Sequence, residues 1–326
     1  MSEKRDVSLV VSDVDNTILD FFGTWGVSTK KAFEDLAVSR NISMDDLVAD
    51  VMKNTHPEYR MHDLPAMVKA APILQPKNEE EKAKFAKDDA RIIHNWQKER
   101  AATPFYDGVV ATIRKMKSNG CKFVLYSDGP VSSVVARLAQ RNFPADLIDG
   151  IYAQPALPDA KTGKVPPLAT DSKSAAFVEA LGDKIRPLYD CPHKPNPDAL
   201  LRIIKDMEIE NPKEVVMVGD NLRSDCGGGN RAGVNTAWQK DGADVCKEAV
   251  DFYFTVPTNP NYAVGLERMT KQLEDPANTP TVVLEKGFKD LDKLFRFVPA
   301  KGKDLSFVQD KTIVNPIKLA MKNNGR

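Results

Sequence analysis

Three short apolar runs constrain this chain more than any other feature. They are Val7 to Val11, Lys122 to Tyr126 and Glu214 to Val218. A nearly continuous apolar run rich in valine is the pattern of a strand buried on both faces of a parallel sheet. Each run is followed at once by a loop of Asp, Gly, Ser or Asn, and the second and third are preceded by helix-like segments. Ile113 and Met116, with Gly120 as a C-cap signal, form one such helix before the second run. This alternation predicts an α/β fold with a doubly wound, mainly parallel, Rossmann-like sheet. In such sheets ligands lie outside the carboxyl ends of the strands, so the three loops should converge.

Between the first two runs, Phe21 to Thr103 holds helical patterns and no buried strand. Phe33, Leu36 and Ala37 mark one stripe. Leu47, Val48, Val51 and Met52 mark a second, with Ser43 placed as its N-cap, and Phe85, Ile92, Ile93 and Trp96 mark a third. The expectation is a discontinuous core, residues 1–20 and 104–326, interrupted by a helical domain at 21–103. With 326 residues the chain is long enough for both. The charged segment Glu79 to Arg100 reads as a solvated helix face. Val134, Val135 and Leu138 continue the core, Leu147 to Tyr152 suggests a turn or strand, and a short helix falls near Ala175 to Leu181. Towards the end, Thr281 to Leu284 reads as a strand and Phe288 to Phe297 as an amphipathic helix.

Charge and cysteine usage narrow the classes. Lys plus Arg and Asp plus Glu are both 46, so no global field recruits nucleic acid or an anionic membrane. No run approaches the roughly 18 to 20 apolar residues of a membrane span. Cys121, Cys191, Cys226 and Cys246 are irregularly spaced and form neither a zinc pattern nor a disulfide framework. The charged amino end leads straight into the first run, so a cytoplasmic protein is expected. The segment from Val298 to the end carries six basic and two acidic residues and reads as a solvated or docking tail.

The loops carry the chemistry. Asp13-Val14-Asp15-Asn16-Thr17 sets two carboxylates one residue apart at the end of the first run. Such a pair can hold a divalent ion, or supply a nucleophile and a proton carrier for phosphoryl transfer, or simply cap a helix. Ser127-Asp128-Gly129-Pro130 follows the second run and can cradle a phosphate oxygen or act as an N-cap. His193-Lys194-Pro195-Asn196-Pro197 holds a lysine between backbone-restricting residues, which is either a fixed ammonium or a surface turn. Gly219-Asp220-Asn221-Leu222-Arg223-Ser224-Asp225 follows the third run and offers hard oxygens suited to Mg²⁺, or caps the next helix.

Together these four motifs, in this order and spanning roughly Val7 to Trp238, resemble the haloacid dehalogenase superfamily of phosphohydrolases. The resemblance implies Asp13 as the phosphorylated nucleophile, Asp15 as general acid and base, Ser127 as a phosphate-binding hydroxyl and Lys194 as the charge-neutralising lysine. It implies a Mg²⁺ site at Asp13 and Asp220, with Asp15 contributing its main-chain carbonyl and Asp225 acting indirectly or through water. It also implies substrate contacts from Ser127, Asp128, Gly129 and Lys194. An acid at position 15 fits the phosphoryl-transfer branch, since family dehalogenases lack it. The helical insertion resembles the family's type 1 cap, a lid over the crevice; its His56, Tyr59, Arg60 and His62 cluster in a Pro-containing segment that either reaches a polar substrate tail or forms a capped turn with a surface charge pair. The reaction implied is Mg²⁺-dependent hydrolysis of a small phosphomonoester, a phosphorylated metabolite, through an aspartyl phosphate. The alternatives are a sugar-phosphate mutase using the same aspartates and a non-catalytic ligand- or partner-binding member. The expanded region after Val245 offers contact surface for a homo-oligomer.

Overall fold

The computed structural model describes residues 4–55, 64–156, 164–165, 167–256 and 264–300. Nine strands occur among them: β1 Arg5–Val7, β2 Leu9–Ser12, β3 Lys122–Pro130, β4 Gly150–Gln154, β5 Ile185–Pro187, β6 Val215–Gly219, β7 Asn235–Gln239, β8 Val282–Leu284 and β9 Phe295–Phe297. Seven form one parallel sheet in the order β5-β4-β3-β2-β6-β7-β8. The chain starts at the centre, winds outward on one side through β3 to β5, then returns to build the other through β6 to β8. This is the expected doubly wound α/β sheet. Its reversal at β2 opens the crevice where β2, β3 and β6 end.

The pleat sends neighbouring residues of β2 to opposite faces. Val10 joins a large core with Phe123, Leu125 and the helical insertion. Leu9 and Val11 join a second core with Val124, Tyr126, Ala199 and Ile203. Both faces are covered, which is why these strands read as unbroken apolar runs.

Two sequence expectations are corrected. The first run is not one strand: Ser8 breaks it, its N–H going to Glu214 O at 2.8 Å, and β1 pairs in parallel with β9 in a separate two-stranded sheet. The segment Phe288 to Phe297 is not one helix. It is a 3₁₀ turn at Phe288–Asp290, one helical turn at Leu291–Leu294, and then β9. Phe295 and Phe297 are buried while Arg296 between them is exposed and reaches Asp6 Oδ2 from Nη2 at 2.7 Å. That period of two belongs to a strand.

Between β2 and β3 lie helices α1 Phe21–Arg40, α2 Met44–Asn54, α3 Leu64–Ala70, α4 Glu79–Ala101 and α5 Val109–Ser118. Asp20 caps α1 by accepting from Gly23 N at 2.9 Å, and Asn41 closes it in the left-handed conformation. Ser43 caps α2 through Asp46 N, and Asn78 caps α4 through Glu81 N. Glu79, Glu80 and Glu81 sit in the first turn of α4, where the helix dipole favours negative charge. Its buried face is Phe85, Ile92 and Trp96, and Trp96 Nε1 donates to Thr29 Oγ1 of α1 at 3.0 Å.

The chains leaving and re-entering the sheet run side by side. Leu19 pairs antiparallel with Phe105, and Tyr106 N donates to Ile18 O at 3.0 Å. The helix Lys247–Thr255, which follows β7, also packs on α1. Phe252 lies 6.1 Å from Trp25 and 5.6 Å from Phe33, and Tyr253 lies 5.5 Å from Phe22, between ring centroids. Among the described residues no helix is long and apolar enough to cross a membrane.

Candidate active site

The β2 loop is held in shape by its own polar residues. Asp13 N donates to Val218 O at 2.8 Å, which fixes it beside the end of β6. Asn16 takes a positive φ of 58° and its Oδ1 accepts Phe22 N at 2.9 Å, supplying an acceptor at the start of α1. Thr17 donates its hydroxyl to Asp13 Oδ2 at 3.3 Å and accepts Asp220 N at 3.1 Å. One threonine thus ties the first loop's aspartate to the last loop's backbone.

Lys194 enters from the turn preceding the helix Asp198–Asp206. Its Nζ lies 2.5 Å from Asp13 Oδ1 and 2.8 Å from Asp225 Oδ1, and 4.7 Å from the centre of the Tyr126 ring. Its main-chain N–H donates to the Asp128 carboxylate at 3.1 Å. The Asp128 carboxylate, expected to touch substrate, therefore holds the lysine turn. Ser127 Oγ accepts Gly129 N at 3.0 Å, which curls the β3 loop over the crevice.

Asp225 sits on a widened π-helical turn, Leu222–Cys226, that follows β6. Its Oδ2 accepts Asn221 N at 3.0 Å. Gly219 makes room for it: a Cβ there would lie 2.1 Å from Asp225 Cγ. Asp220 is anchored through its carbonyl by Trp238 Nε1 at 2.8 Å.

One oxygen from each of Asp13, Asp220 and Asp225 falls within 4.8 Å of the others. Asp15, expected to contribute its main-chain carbonyl, keeps its carboxylate outside this group. Arg137, on α6 Val131–Gln140, donates to Asp15 Oδ2 from Nη2 at 3.0 Å and draws it to the side. Three buried carboxylates thus share one ammonium. Burial, opposed by Lys194 and reinforced by Asp225 and Asp15, pushes Asp13 up to about 8. Burial raises Asp220 well above the carboxylate range, with Asp225 and Asp13 adding to it, and burial raises Asp225. For Lys194, burial disfavours the charge, but Asp13, Asp225 and Asp128 outweigh it and raise the ammonium well above its usual value. The uncompensated negative charge and hard oxygen donors fit a divalent cation such as Mg²⁺.

The sequence reading missed Thr17 as a link and Arg137 altogether. Arg137 had a signal: a lone arginine on a helix whose neighbours Val134, Val135 and Leu138 are core residues. Arg60, with His56, Tyr59 and His62, lies outside the described residues.

Carboxylates and a lysine gathered at the carboxyl end of a doubly wound sheet define a crevice enzyme of the α/β class. The family model of the haloacid dehalogenase-like hydrolases matches residues 7–233, and the chain belongs to that family. A stretch of 60 residues, 18% of this chain, is 48% identical to the haloacid dehalogenase-like hydrolase domain-containing protein At2g33255 of Arabidopsis thaliana and spans 22% of that protein. Similar solved structures include a HAD phosphatase from Thermococcus onnurineus, at 17% identity and a TM-score of 0.48, covering 90% of this chain and 100% of that one. A 2-haloacid dehalogenase from Pseudomonas syringae pv. Tomato is similar at 12% identity and a TM-score of 0.47, over 88% and 97% of the two chains. Likenesses of this size say nothing about which bond is cleaved.

Proposed function

We propose that this hydrolase cleaves small phosphomonoesters by way of an aspartyl phosphate. The observation that carries the reading is the bridge from Lys194 Nζ to Asp13 Oδ1 and Asp225 Oδ1. It holds a carboxylate beside a fixed cation in a buried crevice, as a phosphoryl-accepting nucleophile requires.

In this mechanism Asp13 attacks phosphorus and the bond to the leaving oxygen breaks. Asp15, kept in place by Arg137 at Oδ2, gives that oxygen a proton carried on Oδ1, and later takes one from the water that attacks the aspartyl phosphate. Lys194 stays beside the phosphoryl oxygens and offsets their charge, while Ser127 Oγ donates to one of them. Asp225 keeps the lysine aimed. Asp13 and Asp220, with the Asp15 carbonyl, would hold Mg²⁺, which supplies charge neutralisation at the phosphoryl oxygens. The first four helices between β2 and β3, residues 21–103, would act as the lid that excludes water, and the bridged segments at Leu19 and Phe105 as its hinge.

The test is phosphate release from a panel of small phosphomonoesters with Mg²⁺, with chelator, and with Asp13→Asn. Release that needs Mg²⁺ and falls at least about 1,000-fold in the variant is expected. Transfer of the group to a second hydroxyl, seen in the products, would mark a mutase instead. A folded, metal-supplied protein that releases nothing would leave a binding role.

A further inference from the structure

Lys194 Nζ lies over the ring of Tyr126, 4.7 Å from its centre. Tyr126 precedes Ser127 on β3, is 2% exposed, and belongs to the core formed by Leu9, Val11, Ala199 and Ile203. That packing fixes the ring. The lysine side chain is 5% exposed, so ring and ammonium meet away from water, where the attraction between a cation and the negative face of an aromatic ring is strongest. The end of β3 thus holds the lysine twice: Asp128 accepts its main-chain N–H at 3.1 Å, and Tyr126 meets its ammonium.

An ammonium has three N–H donors. Among the described residues, Asp13 Oδ1 and Asp225 Oδ1 are the acceptors of Lys194 Nζ, which leaves one donor for a ligand. Two carboxylates fix the ammonium along the line between them, and the ring limits its swing about that line. A third carboxylate or a carbonyl in the place of the ring would take the remaining donor. An aromatic face attracts the charge but is a far weaker acceptor than an oxygen, so it seats the ammonium and yields the third donor to a ligand oxygen. The Tyr126 hydroxyl does not account for the residue. It is buried with no hydrogen-bond partner among the described residues, which costs free energy.

We infer that Tyr126 is the positioning residue for Lys194, its ring setting where the ammonium stands and how closely the third N–H meets a phosphoryl oxygen. This rests on the reading of Lys194 as the cation that touches those oxygens. Tyr126 itself touches no substrate and acts through the lysine.

The test replaces Tyr126, in the full-length, Mg²⁺-supplied protein, by phenylalanine and by its 4-fluoro, 3,5-difluoro and 3,4,5-trifluoro derivatives. These keep the ring nearly constant in size while draining its face of negative charge. Two quantities are measured: calorimetric affinity for tungstate, a tetrahedral oxyanion like phosphate, and kcat for phosphate release from 4-nitrophenyl phosphate. Both should fall stepwise with added fluorine, by about fivefold or more across the series, at a constant urea midpoint. Tyr126→Leu should lower both by about tenfold or more and Tyr126→Phe should restore them; if the leucine variant fails to fold, the fluorinated series still decides. A wild type that does not bind tungstate, or a tungstate affinity that is flat across the series, overturns the inference, since a ring that merely fills the core gives the flat result. If nothing is hydrolysed but tungstate affinity falls stepwise, the lysine seat stands and the hydrolytic reading falls. Hydrolysis together with a flat series removes the seat and leaves the hydrolase.

Discussion

Arg137 Nη2 lies 3.0 Å from Asp15 Oδ2, joining α6 to the first loop across 122 residues of sequence. The arginine side chain is 10% exposed, so the pair is screened from water and constrains Asp15 more than a surface pair would. Removing one partner leaves the other charge uncompensated and its position undefined. Arg137→Gln should lower kcat by about 10- to 100-fold on an uncharged ester, since placement of Asp15 serves every substrate. A kcat within twofold of wild type on an uncharged ester would show that the pair does not position the acid.

The crowding of Asp13, Asp220 and Asp225 gives a pH dependence whose sign follows from Asp13. An unfolded aspartate releases its proton near pH 4, whereas burial holds Asp13 up to about 8 in the metal-free fold. Between these values the folded chain keeps a proton that the unfolded chain has lost. Its stability contribution, full below the unfolded value, is therefore lost as pH rises towards about 8. Mg²⁺ held at this carboxylate would compete with that proton and favour the ionised form. Thermal melts with chelator and with Mg²⁺ should differ more near pH 8.5 than near pH 6. A metal increment that is equal or larger at the lower pH would contradict this assignment of the cation to Asp13.

Gly242 packs against the loop that carries Asp13 and Asp15. A Cβ at this position would stand 1.6 Å from Asn16 O, a main-chain atom that cannot swing aside. Gly242→Ala should destabilise the fold by about 1–3 kcal/mol and depress kcat as well, because Asn16 adjoins Asp15. Urea unfolding and steady-state kinetics on the same variant check both effects. Loss of stability with full kcat would mean that the loop yields without moving the acid.

The helix Lys247–Thr255 is part of the apolar cluster on α1. Phe252 is 4% exposed and packs against both Trp25 and Phe33. Phe252→Ala should cost about 3–5 kcal/mol, as truncation of a buried aromatic does. Glu248→Gln, which removes an exposed contact to Lys30, should barely shift the denaturation midpoint. If the two variants unfold alike, the packing on α1 contributes little.

Several parts of this architecture are legible from local chemistry. Strands β2, β3 and β6 are apolar because both their faces are covered, and Asp, Ser and Gly mark the loops that follow. The Ser43 cap and the stripe of Phe85, Ile92 and Trp96 are legible for the same reason: propensity and packing agree there. Strand β7, Asn-Thr-Ala-Trp-Gln, is fully buried yet largely polar, and its Asn235 and Thr236 are satisfied by Lys213 O, Val215 O, Asn230 Oδ1 and Thr281, all supplied from outside the strand. β9 reads as helix until its partner β1 is known, since a short amphipathic segment takes the conformation its neighbour completes.

The sequence by itself determined the parallel sheet, the helical insertion and the identity of the converging aspartates and lysine, because each is written in a local period or a turn. Tertiary structure alone decided that Lys194 bridges Asp13 and Asp225, that Asp15 turns to Arg137, and that the helix after β7 packs on α1. Those outcomes depend on distances between segments far apart in the chain, and on buried charges finding partners, which no local pattern encodes.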